Sequence, residues 1–359
     1  ERTREIVDRL KALESPANLS FLLSEISLPM KRGKGVYVED VDGNEYLDLI
    51  SGFGALSTGH SHPAVIEAVK KQAELLVHNY PLQSEARISL MEKIAELTPG
   101  PSDSKTIQFG VGGSDAIEAA LKQARYYSGK PGIIAFEGGY HGRTTGSLAL
   151  TSYTIYRKNM GPLIYGTAHI PYAYCYRCAF GHTYPSCDLQ CAHYLERKVS
   201  APFSGIEAGA VIIEPVQGVG GMVVPPEEFL TEVSRICSKY NLVLIADEVM
   251  SGWARTGSMF ACEHSNVIPD ILVTAKAAAS GYPISVIVSK KEITENATPF
   301  SEGLTFAGNN VSCASALATF RIIEEESLVH KARDRGKYLT DRLNELAEQF
   351  NFIGEVRNK

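Results

Sequence analysis

An alternation beginning at about Pro63 constrains this chain more than any other feature. Brief β-branched runs, each bounded by Gly, Pro or Asp, are separated by helical stretches. The runs are "KTIQFG" (105–110), "GIIAFEGG" (132–139), "GAVIIEP" (209–215), "NLVLIADEV" (241–249) and "ILVTAK" (271–276). Helical spacing predicts helices over Ser114–Tyr127, Glu227–Tyr240 and Ala314–Glu325. Strands alternating with helices mean a mainly parallel sheet covered on both faces, an α/β fold. Ahead of this region, Arg4–Leu13 shows helical periodicity at Ile6, Val7, Leu10 and Leu13. Residues 33–52 alternate apolar and polar side chains about Asp42-Gly43, the pattern of a β-hairpin. No internal repeat or low-complexity linker breaks the chain.

Composition narrows the function. At 359 residues and 44% hydrophobic, the chain fills a large core, with one large and one smaller domain as the natural arrangement. Thirty-five basic against 41 acidic residues give a net charge of −6 without a basic stripe, which argues against nucleic acid or anionic membrane as partners. No apolar run is long enough to span a bilayer, and the first residues do not begin a signal peptide. Seven cysteines, an odd and sparse set, point to a reducing compartment such as the cytoplasm rather than to a disulfide scaffold.

One charge looks out of place. In "PDILVTAKAAASGYP" (269–283), Lys276 follows an apolar strand and precedes three alanines, and burying an ammonium there without a partner is costly. Asp247 ends another strand of the same kind, so sheet topology brings both to one crevice, where ligands sit in open α/β folds. Taken alone, Asp247 is a helix cap or turn residue, and Lys276 a snorkelling side chain. Together they suit pyridoxal phosphate, which needs an amine shielded from water for a Schiff base and a carboxylate to hold its pyridine nitrogen protonated. "FGVGGSDAIEAALKQAR" (109–125) leads a glycine-rich turn into an amphipathic helix, so backbone N–H groups around Gly113, Ser114 and Asp115 face an anion, or simply form an N-cap at Ser114. Its glycine spacing is wrong for a dinucleotide fingerprint. In "FEGGYHGRTTGS" (136–147), Tyr140 offers a ring to stack on a planar cofactor and Arg143 a fork for a carboxylate; core packing and a surface ion pair are the alternatives.

With these residues in place, the chain resembles a class III pyridoxal-phosphate-dependent aminotransferase of fold type I. The nearest pattern is the ornithine, 4-aminobutyrate and ω-amino acid group. "GSDA", "YHGRT", "IIEPVQG", "ADEVMSGWARTG", "DILVTAKAAASGYP" and "TFAGNN" occur in family order, and the likeness runs from about Gly33 to Val356. It implies that Lys276 is the Schiff-base lysine and that Asp247 pairs with the pyridine nitrogen. Gly113 and Ser114 hold the phosphate, Tyr140 stacks on the ring, and Glu214 helps position Asp247 or the ring substituents. Thr305 reaches the phosphate of a neighbouring protomer, so the site belongs to a homodimer. Arg143 receives a substrate carboxylate, and Phe53 is a substrate-pocket aromatic. The implied division is an N-terminal segment 1–61 contributing to a small α+β domain, a large cofactor-binding domain 62–328, and a C-terminal portion 329–359 of the small domain, incomplete because the family continues past "GEVRNK". The sequence departs from the pattern at several points: Gly112 where Ser or Thr is common, Met250 for a frequent glutamine, and Val219 where the ornithine group has a gating glutamate. Ala277, Ala279 and Ser280 stand for glycines, and Asn310 for a proline.

"YCYRCAFGHTYPSCDLQCAHYLE" (174–196) holds Cys175-x2-Cys178 and Cys187-x3-Cys191, a spacing suited to a structural zinc or, less so, an iron–sulfur cluster. Two disulfides, or buried thiols acting as small hydrophobes, are the alternatives. The leading expectation is amino transfer from an amino acid or ω-amine to a 2-oxo acid such as pyruvate or 2-oxoglutarate. A racemase or epimerase on the same scaffold is the second, since "FGVGGSDA" resembles that subgroup, with Arg143 arguing against it. A non-catalytic binding protein is the third.

Overall fold

The computed structural model describes residues 2–18, 28–201 and 205–359. Its strands are β1 (Met30–Lys34), β2 (Tyr37–Asp40), β3 (Glu45–Leu47), β4 (Lys105–Gly110), β5 (Gly132–Phe136), β6 (Thr167–Ile170), β7 (Ala208–Ile213), β8 (Val243–Asp247), β9 (Ile271–Thr274) and β10 (Ser285–Lys290). The longer helices are α1 (Arg2–Leu13), α2 (Pro63–Leu75), α3 (Glu85–Leu97), α4 (Gly113–Ser128), α5 (Gln190–Ser200), α6 (Glu227–Lys239), α7 (Asn310–Glu325) and α8 (Leu328–Gln349). The expected hairpin forms: β2 pairs antiparallel with β3 in the register Tyr37↔Leu47, and β1 adds to its other edge.

The main sheet has the order β4-β10-β9-β8-β7-β5-β6. All its pairs are parallel except those of β10, which runs antiparallel to both β9 and β4. Sequence spacing does not reveal β6 or β10. The first is four residues long and only its last, Ile170, is buried; the second gives a short apolar run directly after a Gly-Tyr-Pro turn. Alternate side chains of the buried strands feed two cores. Ile134, Phe136, Val211, Ile213, Leu244 and Leu272 face one, which packs against α3, α5, α6 and α7. Ile133, Ala135, Ile212, Ile245, Ile271 and Val273 face the other, covered by α4 through Ile117, Ala120, Leu121 and Ala124. Continuous burial of β5, β7, β8 and β9 follows directly.

This topology fixes the site. The carboxyl ends of β4, β5, β7, β8 and β9 open on the same edge of the sheet, and reversed β10 enters there by its amino end, with Ser285 opposite Gly110. Helix α4 starts at the same edge. Asp115 in its first turn accepts hydrogen bonds from the backbone N–H of Val111 (2.9 Å) and Gly112 (2.6 Å), which folds the glycine-rich turn onto the helix end.

Candidate active site

A cavity of about 290 Å³ lies at that edge. Gly113 and Ser114 come to it from the start of α4, Tyr140 and His141 from beyond β5, and Glu214 from beyond β7. Asp247 closes β8, and Lys276 stands two residues beyond β9. Six of the residues expected from sequence thus line one space: Gly113, Ser114, Tyr140, Glu214, Asp247 and Lys276. Lys276 has a φ of 41°, in the left-handed region, so its side chain leaves the strand direction. Its Nζ points at Met250 Sδ, 3.6 Å away.

Asp247 is almost fully buried and held at both oxygens. Oδ1 accepts the Val249 N–H at 3.1 Å, and Oδ2 lies 2.7 Å from His141 Nδ1. Burial works against a charged imidazole, but the hydrogen bond and charge of Asp247 outweigh it, and His141 stays protonated above its ordinary range. Glu214 takes the Tyr140 N–H at 2.8 Å on one oxygen and the Gly218 N–H at 3.0 Å on the other, tying two cavity loops together. Burial pushes its carboxyl up to about 7; nearby His141 pulls it down while Asp247 adds to the rise. Burial lowers the Lys276 amine, opposed by the charges of Asp247 and Glu214 and assisted by Arg255. A larger share of this lysine is therefore free base near neutrality than of a surface lysine, which is what a nucleophilic amine requires.

His141 is the residue sequence reading misses: it sits in "YHGRT" between two side chains that drew attention, yet it alone contacts Asp247 from that loop. Its signal is a histidine one position past Tyr140, beyond a fully buried strand. Glu248, next to Asp247, is also missed. It is completely buried, bonds Ser251, and accepts the N–H groups of Ala261 (3.0 Å) and Cys262 (2.7 Å), so it anchors the loop after β8 rather than facing the cavity.

Three expected residues lie outside the cavity lining. Arg143 is exposed, its guanidinium 4.2 Å above the Tyr156 ring and 5.8 Å from that of Tyr140, while its backbone N–H reaches Ser114 Oγ at 3.2 Å. Phe53 is 58% exposed. Thr305 stands exposed between Leu304 and Phe306.

The four-cysteine segment requires a correction. Cys175, Cys178, Cys187 and Cys191 are all free thiols, so the disulfide alternative does not hold. Among the described residues, no group of three or more Cys, His, Asp or Glu side chains is placed to share one ion, so neither zinc nor an iron–sulfur cluster is supported. The reason is local. Cys175 lies exposed on a short 3₁₀ turn, whereas Cys191 is carried on α5 and packs against the large core. Burial pushes the Cys191 thiol up to about 11.

A lysine and a carboxylate at the ends of adjacent parallel strands, over a helix N-terminus, define a fold type I transferase scaffold. The chain belongs to the class-III aminotransferases: the model of the family described as "Aminotransferase class-III" matches residues 23–359. It is similar to 4-aminobutyrate aminotransferase of Mycobacterium leprae, 37% identical over 93% of this chain and 76% of that protein. It is also similar to alanine/serine racemase of Pyrococcus horikoshii, 38% identical over 100% of this chain and 76% of that protein. The crystal structure of an (S)-enantioselective omega-transaminase from Thermomicrobium roseum superposes with a TM-score of 0.91 at 34% identity, covering 99% of this chain and 82% of that one. The protein is an aminotransferase, and pyridoxal phosphate is the cofactor expected of its class.

Proposed function

We propose that the cavity around Lys276 binds pyridoxal phosphate and moves an amino group from an amino acid or ω-amine to a 2-oxo acid. The observation that carries this reading is the shared cavity of Lys276 and Asp247 at the ends of neighbouring strands β9 and β8. The donor set fits the cofactor: an amine lowered by burial, a buried carboxylate, an aromatic ring, and the first N–H groups of α4, which lack intrahelical acceptors. When bound, the cofactor supplies an aldehyde for the lysine and a ring that draws electrons from the substrate carbon. Lys276 then carries the proton taken from and returned to carbon, a task its lowered basicity suits. Asp247, oriented by His141, holds the proton on the pyridine nitrogen. Glu214 keeps the Tyr140 and Gly218 loops at fixed separation.

Arg143, exposed with its guanidinium 4.2 Å above the Tyr156 ring, receives a substrate carboxylate from the rim, with Phe53 as an aromatic of the substrate pocket. Thr305 serves the phosphate of a second copy in a homodimer. Exposed Phe300, Phe306 and Leu82, with the Phe306 ring 5.4 Å from that of His78, offer apolar surface for that copy. Residues 62–328 form the cofactor-binding body, and 1–61 and 329–359 contribute to the small domain. Free thiols suit a cytoplasmic setting. No described helix is long and apolar enough to cross a membrane.

The test incubates the protein and pyridoxal phosphate with candidate donors and either pyruvate or 2-oxoglutarate, following keto product and enantiomeric composition together. Keto product in step with new amino acid supports the reading. Inversion of one amino acid with no acceptor would give the activity to the racemase side of the family.

A further inference from the structure

Ser51, Gly52, Phe53 and Gly54 have successive φ values of 54, 58, 58 and 79°. A left-handed turn of four residues is disfavoured for L-residues, and two of these, Ser51 and Phe53, carry a Cβ. Such a turn persists where its surroundings hold it. At its start, Asp48 Oδ1 accepts the Ile50 N–H and Oδ2 the Gly52 N–H, both at 2.9 Å, while His60 Nε2 lies 2.8 Å from Oδ2. At its end the anchor is Arg255, from the "SGWARTG" loop. Its Nη2 donates to Gly54 O at 2.9 Å and meets Ser57 Oγ at 3.4 Å.

The clamped end of the turn lies against the site. A Cβ added at Gly54 would stand 2.8 Å from Met250 Sδ, the atom that Lys276 Nζ approaches at 3.6 Å. Ala55, the next residue, lines the cavity beside Met250 and Lys276. Arg255 itself is partly buried, and its Nε has no partner among the described residues, so its guanidinium is held in place by the Nη2 contacts rather than by a carboxylate of these residues.

We propose that Arg255 is a positioning residue: it clamps the left-handed turn Ser51–Gly54 onto Met250 and so sets the wall that Ala55 and Met250 present beside Lys276. The inference rests on Lys276 being the reactive amine. A planar fork suits this role because one nitrogen meets two acceptors while the plane stays fixed, which a flexible ammonium does not reproduce. The charge of Arg255 also adds to the lowering of the Lys276 amine.

The test compares wild type, Arg255→Lys, Arg255→Gln and Asp48→Asn as full chains, with and without added pyridoxal phosphate. Hydrogen exchange is read at Gly54, Ala55 and Leu56, whose N–H groups bond Ile50, Gly52 and Ser51 carbonyls. Arg255→Gln should speed exchange there about 10-fold and raise KM for the amino donor by a similar factor, with a smaller drop in kcat from the lost charge beside Lys276, since a hydrogen bond from a charged group is lost. Arg255→Lys should fall between the two. Asp48→Asn, which weakens the other anchor, should loosen the same amides; if Arg255→Gln does not fold, Arg255→Lys, which keeps the charge but not the fork, decides the matter. Unchanged exchange at these amides, or faster exchange with an unmoved KM, overturns the proposal. A wild-type chain that takes up no pyridoxal phosphate would instead overturn the reading of Lys276, and the exchange measurements, which need no cofactor, would still decide whether Arg255 holds the turn.

Discussion

The cavity around Lys276 and the segment from Tyr174 to Cys191 both gather reactive side chains, and they are built in opposite ways. Gly113, Ser114, Tyr140, His141, Glu214, Asp247 and Lys276 come to the cavity from five segments far apart in the chain, each at or just beyond the end of a strand or helix. Asp247 has a partner on each oxygen, and Glu214 ties two loops. The cysteine segment takes all its thiols from one stretch of turns and the start of α5. Proximity in sequence there produces no shared ligand site among the described residues. Convergence at a site is a property of sheet topology, and neighbours in sequence do not acquire it by being close.

If that contrast is right, the two regions respond unequally to substitution. Lys276→Ala should cause the largest loss, about 10⁴-fold in kcat, because it removes the amine proposed to carry the proton. Activity within 10-fold of wild type would break the comparison. Asp247→Asn keeps the shape but not the charge, and should lower kcat about 10²- to 10³-fold, the range for losing one electrostatic group aimed at the reacting system.

A smaller effect concerns stability against pH. The unfolded chain releases the Glu214 proton near 4.5, whereas the buried carboxyl keeps it until about 7. Between those values the folded state binds the extra proton, so this contribution is full below 4.5 and is lost as pH rises to 7. His141 acts in the same sense: its contribution is full below 6.5 and fades as pH rises through its higher folded value. Thermal midpoints should therefore fall between about pH 5 and 8, by about 2 °C or less for each kcal/mol lost, since a chain of 359 residues exceeds the 150–250 for which about 2–4 °C is typical. Glu214→Gln should flatten the curve. A wild-type midpoint that rises over this range would contradict the assignment.

The smallest effect belongs to the other region. Replacing Cys175, Cys178, Cys187 and Cys191 together by serine should leave kcat within about 2-fold, with a stability loss of about 1–3 kcal/mol centred on half-buried Cys191, where a hydroxyl replaces a thiol packed on the core. Thiol labelling of the native protein should modify exposed Cys175 before Cys191. A collapse of activity in the serine variant would sharpen the comparison against us.

The same contrast explains what the sequence disclosed. Strands β4, β5, β7, β8 and β9 were legible because each is a short β-branched run with clear boundaries, and α4, α6 and α7 because their apolar faces repeat. Lys276 and Asp247 were legible as charges at the ends of such runs. His141 was not, because its role depends on the distance from β5 to β8 across the sheet. Arg255 was hidden for a similar reason, since the turn it holds lies on the far side of the chain order, next to Gly54. The cysteine spacing misled because it encodes separation along the chain and says nothing of burial, which places Cys191 on the core and Cys175 at the surface.

The central claim is that Lys276 is the amine at which this aminotransferase holds its cofactor. The direct measurement is borohydride reduction of the protein loaded with pyridoxal phosphate, followed by peptide mapping by mass spectrometry. The account predicts loss of the yellow absorbance and a pyridoxyl adduct on Lys276 at close to one per chain, absent in Lys276→Ala. A stable adduct on a different lysine, or a protein that is colourless and unmodified at saturating pyridoxal phosphate, would contradict it.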